Sequence, residues 1–218
     1  MARIATPAAT AAVREWVLML LSDRNRYGAG ETLQHVGVPL LPILVSMLES
    51  ESREVQSKLA MPAAGLFLRD SDNLDSALRA FFANHRLLAP MIEIFKARYA
   101  MSPAAYGDLL NIFRSGGPVI QEQAVIAIGR IGNMTTDRPC EAANSSILPA
   151  LSELILKNED QRVRLVGVYT LEAFNTVDTA KVLSQLSQAD PELENRKVAA
   201  DAMARVLARR KGNIAERQ

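Results

Sequence analysis

One spacing recurs along this chain and limits what it can fold into. Ile120, Ala124, Ala127, Ile128 and Ile131 stand at offsets 0, 4, 7, 8 and 11. Val163, Gly167, Thr170, Leu171 and Phe174 repeat that spacing, as do Asn195, Ala199, Ala202, Met203 and Val206. A weaker copy runs Gln56, Ala60, Ala63, Ala64 and Phe67. With 3.6 residues per turn, these offsets fall on one face of a helix. The second position is small each time: Ala60, Ala124, Gly167, Ala199. A small side chain there lets two helix axes approach. One pair of amphipathic helices cannot bury its apolar stripe alone, so a face repeated in this way belongs to a stack.

The remaining pattern is also helical. Apolar residues recur at helical rather than alternating spacing, and no run of clean period-two alternation stands between turns. Ser102-Pro103 and Asp190-Pro191 set a capping residue before a first-turn proline, and Gly117-Pro118 is a weaker version. Asn158 and Ser145 or Ser146 are further capping candidates, and Asn175, Gly132-Asn133 and Gly212 stand where helices should stop. In the preceding helices, Pro42, Pro90 and Pro149 fall in or near the first turn, where a missing N–H costs little. These signals predict helices over 8–22, 37–49, 53–69, 74–83, 87–99, 103–114, 118–132, 146–157, 160–174, 177–188 and 191–210. Most connections are short, which forces consecutive helices to pack antiparallel.

The expected organisation is a single domain over 1–218. Residues 1–36 form an N-terminal capping region, with Val13, Trp16, Val17, Leu20 and Leu21 as its lid face. Irregular repeats follow over 37–132, then a mobile polar loop over 133–145 that folding does not require. Regular repeats and a C-terminal cap occupy 146–211.

The best-preserved stretch, Asp160-Gln-Arg-Val163-Arg164-Leu-Val-Gly167-Val-Tyr-Thr170-Leu171, resembles the HEAT-repeat family in its short bacterial form, with a Val-Arg pair opening the second helix. Gln121 to Gly132 resembles the family's small-residue ending. The resemblance is good over 103–210, plausible over 37–69, poor over 70–100 and absent over 1–30. It implies an all-α solenoid of stacked antiparallel helix pairs, about ten or eleven helices in all. It implies no activity.

Composition excludes several functions. Lys and Arg total 25 against 24 Asp and Glu, which argues against a surface built throughout to grip phosphate backbones. No apolar run reaches 18 residues, so neither a membrane span nor a signal peptide is expected. The single cysteine, Cys140, rules out an internal disulfide and points to a reducing, cytoplasmic compartment. No His-Glu-x-x-His, Cys-x-x-Cys, Gly-x-Ser-x-Gly or phosphate-cradling glycine loop is present. His35 and His85 lack the local pairing of metal ligands, and His85 is expected to meet the C-terminal dipole of a helix. Cys140 is expected as an inert thiol in the polar loop. No catalytic residue, metal or cofactor is assigned.

What remains is a binding surface. The helices carrying the repeated register, 53–69, 118–132, 160–174 and 191–210, are expected to build a concave face. Off the register lie Gln121, Val125, Arg164, Val168, Tyr169, Glu172, Lys197 and Arg205, and one helix cannot bury every side. Gln121, Arg164, Val168, Tyr169, Glu172, Lys197 and Arg205 are therefore the candidate partner-binding residues. Tyr169 and Arg164 are the strongest by type. Arg164 also has a structural reading, as an i,i+4 partner of Asp160.

The C-terminal stretch from Arg196 to Gln218 carries seven basic and two acidic residues, and Glu49 to Asp75 carries six acidic and three basic. The expected function is a non-catalytic adaptor or scaffold that holds another protein. One alternative is nucleic-acid or anion binding by Arg196, Arg209, Arg210 and Lys211. Another is a chaperone for a bilin-type chromophore, because the short repeat form also resembles phycobilin lyases; no residue can be assigned to that role.

Overall fold

The computed structural model describes residues 7–22, 32–33, 36–134 and 138–215, without the side chains of 38, 134, 138–144 and 211–215. The described residues form eleven α-helices and no strand. They are α1 (Pro7–Ser22), α2 (Leu41–Ser50), α3 (Arg53–Asp70), α4 (Ser76–Ala83), α5 (Leu88–Ala100), α6 (Tyr106–Ser115), α7 (Pro118–Met134), α8 (Arg138–Leu156), α9 (Gln161–Phe174), α10 (Val177–Ala189) and α11 (Leu193–Ala215). The architecture is all-α. The chain, expected as a single domain, falls into two compact units, Met1–Lys96 and Ala97–Gln218.

In the first unit α1 packs on α2 and α3, and α2 packs on α3. Val17 and Leu21 of the expected lid face are buried. Lys58 of α3 donates to the Leu21 carbonyl, and Arg14 of α1 pairs with Glu51 at the turn between α2 and α3. Pro42 sits in the first turn of α2, as its spacing predicts.

The second unit has two layers. In one layer α7, α9 and α11 pack in succession; in the other, α6, α8 and α10 lie side by side. The register explains the first layer. Ala124, Ala127, Ile128 and Ile131 of α7 are fully buried, as are Val163 and Leu171 of α9 and Asn195, Ala199, Ala202 and Val206 of α11. Gly129 and Gly132 of α7 lie under Thr170 and Phe174 of α9: a Cβ on Gly132 would stand 2.9 Å from the Phe174 ring. Thr170 donates across this contact to the Val125 carbonyl at 3.0 Å. α9 ends where its sequence predicts, at Asn175 in the left-handed conformation (φ 52°), a region asparagine tolerates better than most residues.

The expected loop over 133–145 is corrected over 138–145, while 135–137 lie outside the described residues. Backbone from Arg138 onward is helical and runs on to Leu156, so Pro149 lies inside a helix instead of opening one. Polarity suggested a loop, but the Cys140-Glu-Ala-Ala143 stretch holds no helix breaker, and polar residues serve equally well on a helix. The Cys140 side chain lies outside the described residues.

Candidate functional site

α9, the second helix of its pair, begins at a built turn. Asp160 caps α9, its carboxylate accepting from the Arg162 and Val163 N–H groups at 2.9 and 3.0 Å. Asn158, expected as the cap, instead accepts from the Asp160 N–H at 2.9 Å and donates to the Gln121 side chain at 3.0 Å. Arg164 then closes the turn, donating to the Asn158 and Glu159 carbonyls at 2.9 and 3.0 Å.

Arg164 is not a surface residue, which corrects its assignment as a binding anchor. It is buried, and its main partner is Asp190 at the entrance to α11, not Asp160. The contact is bidentate, at 2.8 and 3.2 Å, with the carboxylate side chain fully enclosed. Burial pushes the Asp190 carboxyl upward. Hydrogen bonds from Arg164, the Glu192 N–H and Asn195, with the Arg164 charge, outweigh it and hold the group below the usual carboxylate range. Arg164 therefore ties one helix pair to the next.

Val168 is also corrected: it is 0% exposed and belongs to the core. Tyr169, by contrast, is 51% exposed. One turn on, Glu172 accepts two bonds from Arg205 of α11, both at 2.8 Å, and a third from Arg209 at 2.9 Å. These bonds hold the Glu172 carboxyl below its ordinary range. They also raise the Arg205 guanidinium, which has Asp201 and Tyr169 within electrostatic reach. The structure thus gathers Tyr169, Glu172, Arg205 and Arg209 on one surface of α9 and α11. Sequence reading placed Arg209 in the anion set, not here; its i,i+4 relation to Arg205 is the signal that joins them. Lys197 is exposed on α11.

Gln121 lies elsewhere. It lines a groove of about 330 Å³ with Phe113, Arg114, Glu153, Leu154 and Lys157, between α6, α7 and α8. The charges here are mutually engaged: Lys157 donates to Glu153 at 2.7 Å, which holds that carboxyl below its ordinary range, and Arg114 donates to Asn111 at 3.2 Å.

Two of the remaining anion-binding candidates, Arg196 and Arg210, bond to the protein itself. Arg196 donates to the Asp190 and Pro191 carbonyls at 2.6 and 3.1 Å, and Arg210 donates to the Asn175 carbonyl at 3.2 Å. The Lys211 side chain and His35 lie outside the described residues. Among the described residues no cluster of His, Cys, Asp and Glu could hold a metal, and no helix is long and apolar enough to cross a membrane. His85 is buried just after α4, its N–H donating to the Phe82 carbonyl at 3.2 Å, but its ring turns to the start of α5. Its Nδ1 accepts from the Leu87 and Leu88 N–H groups at 3.4 Å each, so Nε2 carries the proton donated to Glu49 at 3.0 Å.

An all-α stack of helix pairs, bound turn to turn by buried polar side chains and glycine contacts, defines a helical-repeat protein. Residues 107–204 match the family described as HEAT repeats. A comparison with curated proteins gives no match. HEAT repeats commonly serve as protein-interaction scaffolds and are typically non-catalytic.

Proposed function

We propose that this chain is a non-catalytic adaptor of the cytoplasm that holds another protein against the exposed surface of α9 and α11. The observation that carries this reading is the half-exposed Tyr169 beside the Glu172–Arg205–Arg209 cluster. A half-exposed aromatic ring, next to guanidinium groups already held in place, offers contact area at little cost in lost side-chain freedom. Arginine and tyrosine are enriched among residues that dominate interface energies. Glu172 and Asp201 balance Arg205 and Arg209, so the surface offers fixed paired charges beside an aromatic ring, which set the register of a partner more than they attract it. The single cysteine supports the reducing compartment.

The test is a binding measurement on the partner recovered by affinity capture from the native cell. A Tyr169→Ala, Arg205→Ala double variant should weaken binding by about 2 kcal/mol or more if both are hot spots, with the melting temperature nearly unchanged. Full affinity in that variant would remove this surface from consideration.

A further inference from the structure

Helices α7, α9 and α11 can be superposed by register, and one column of equivalents behaves differently on α11. Val125 of α7, Val168 of α9 and Ala200 of α11 hold the same place; the first two are 0% exposed, while Ala200 is exposed. Gly129, Glu172 and Ala204 form the next column, running buried, half-buried, exposed. Gly132 lies under Phe174, whereas Leu207, its equivalent on α11, is 45% exposed. α7 and α9 use this face to receive the next helix. On α11 the same face, with Leu193 and Leu207 as its large apolar residues, receives nothing among the described residues.

A polar rung accompanies each covered face. Arg14, Gln121 and Arg164 each reach forward to a polar residue at the turn that opens α3, α9 or α11: Glu51, Asn158 and Asp190 respectively. Arg196 is the equivalent of Gln121 and Arg164. It makes the same two bonds as Arg164, to the carbonyls six and five residues before it. Its Nε and Nη2 donors, with which Arg164 grips Asp190, have no protein partner among the described residues. The cation that closes a rung on α9 is thus presented outward on α11, beside a face that the described residues leave uncovered.

We propose that the outer face of α11 is a docking surface for a partner helix that presents an apolar stripe to Leu193, Ala200 and Leu207, and whose entering turn carries an aspartate or glutamate for Arg196. Charge complementarity selects this occupant, because the equivalent Arg164 takes a carboxylate at the same point. A second copy of the chain is a poorer fit. Glu51 and Asp190, the acidic residues at this place in its own repeats, are already held by Arg14 and Arg164. This surface is separate from the Tyr169–Arg205 face, and the two can fail independently.

The experiment is site-specific photo-crosslinking in the native cell from a benzophenone amino acid at position 207 of the full chain. The crosslinked peptide is mapped, and affinity is then measured with the purified partner. The expected product joins position 207 to an amphipathic helix of another protein with an Asp or Glu at its entering turn. Arg196→Glu should then lower affinity by at least about tenfold, and Arg at the partner's acidic position should restore it. Ala200→Glu, at an exposed position that leaves the turn bonds intact, should repeat the loss, while Tyr169→Ala with Arg205→Ala should leave the crosslink in place. No crosslink, a crosslink to a second copy, a mapped segment with no acidic residue, or unchanged affinity in both Arg196→Glu and Ala200→Glu would overturn the proposal.

Discussion

Gly167 of α9 lies so close to Ile155 of α8 that a Cβ on the glycine would stand 2.6 Å from Ile155 Cγ2. Ile155 is β-branched and fully buried, so it cannot swing aside. The small residue in the repeated register is therefore a steric requirement at this position. Gly167→Leu gains about 1 kcal/mol of helix propensity but overpacks the contact, which typically costs about 1–3 kcal/mol and occasionally more. A net loss of stability is expected in urea denaturation, and Ile155→Ala in the same chain should return part of the Gly167→Leu loss. A midpoint unchanged by Gly167→Leu alone would show that the helices do not meet there.

The Arg164–Asp190 pair makes a stronger demand. Asp190→Ala leaves a buried guanidinium with no counter-charge, for an expected loss of about 3–5 kcal/mol. The pH dependence follows from the lowered carboxyl. Its contribution is complete above the unfolded-state value of about 3.9 and fades as pH falls through the lower folded-state value. The stability gap between the parent and Asp190→Ala should thus be constant from neutral pH to about 5 and shrink below about 4. A gap that persists undiminished at the acid end would mean that the carboxylate charge is not what matters.

Glu172 provides the contrast. It accepts from two arginines where Asp190 has one, but those are about half exposed, so water takes over their solvation when the carboxylate is lost. Glu172→Gln should cost less than about 1 kcal/mol, and that small cost should fall further in high salt. Denaturation curves at two ionic strengths test this; a loss as large as that of Asp190→Ala would mark the cluster as structural.

His85 is expected to act as a cap. His85→Ala removes the acceptor for the Leu87 and Leu88 N–H groups and the bond to Glu49, and should cost about 0.5–2 kcal/mol. Amide hydrogen exchange at Leu87 and Leu88 should accelerate more than at Leu109, a core position of the second unit. Equal exchange at both places would refute the capping role.

Much of the fold was legible in the sequence because helix geometry is local. The 3.6-residue period, the proline and capping signals and the repeated small position depend on neighbours a few residues away, and they located α9 and its Asn175 stop to within a residue. The stretch 138–145 was misread because polarity does not separate a loop from an exposed helix. The candidate site was less legible. Off-register position identified Tyr169, Glu172 and Arg205, yet the same criterion admitted Val168 and Arg164, because position on a wheel does not say whether a neighbouring helix lies over it.

The sequence by itself determined the helical class, the repeat register and the closeness of the helix contact at Gly167, all consequences of spacing along one chain segment. Only the tertiary structure decided which partner each charge takes. Asp160 lies four residues from Arg164 and was the nearest acid by count, yet the guanidinium turns to Asp190, 26 residues on. Asp160 is already committed to the N–H groups that open α9, whereas stacking brings Asp190 into a dry contact where its carboxylate accepts both guanidinium bonds. That choice is made by burial between helices, a property of the stack that no single helix contains.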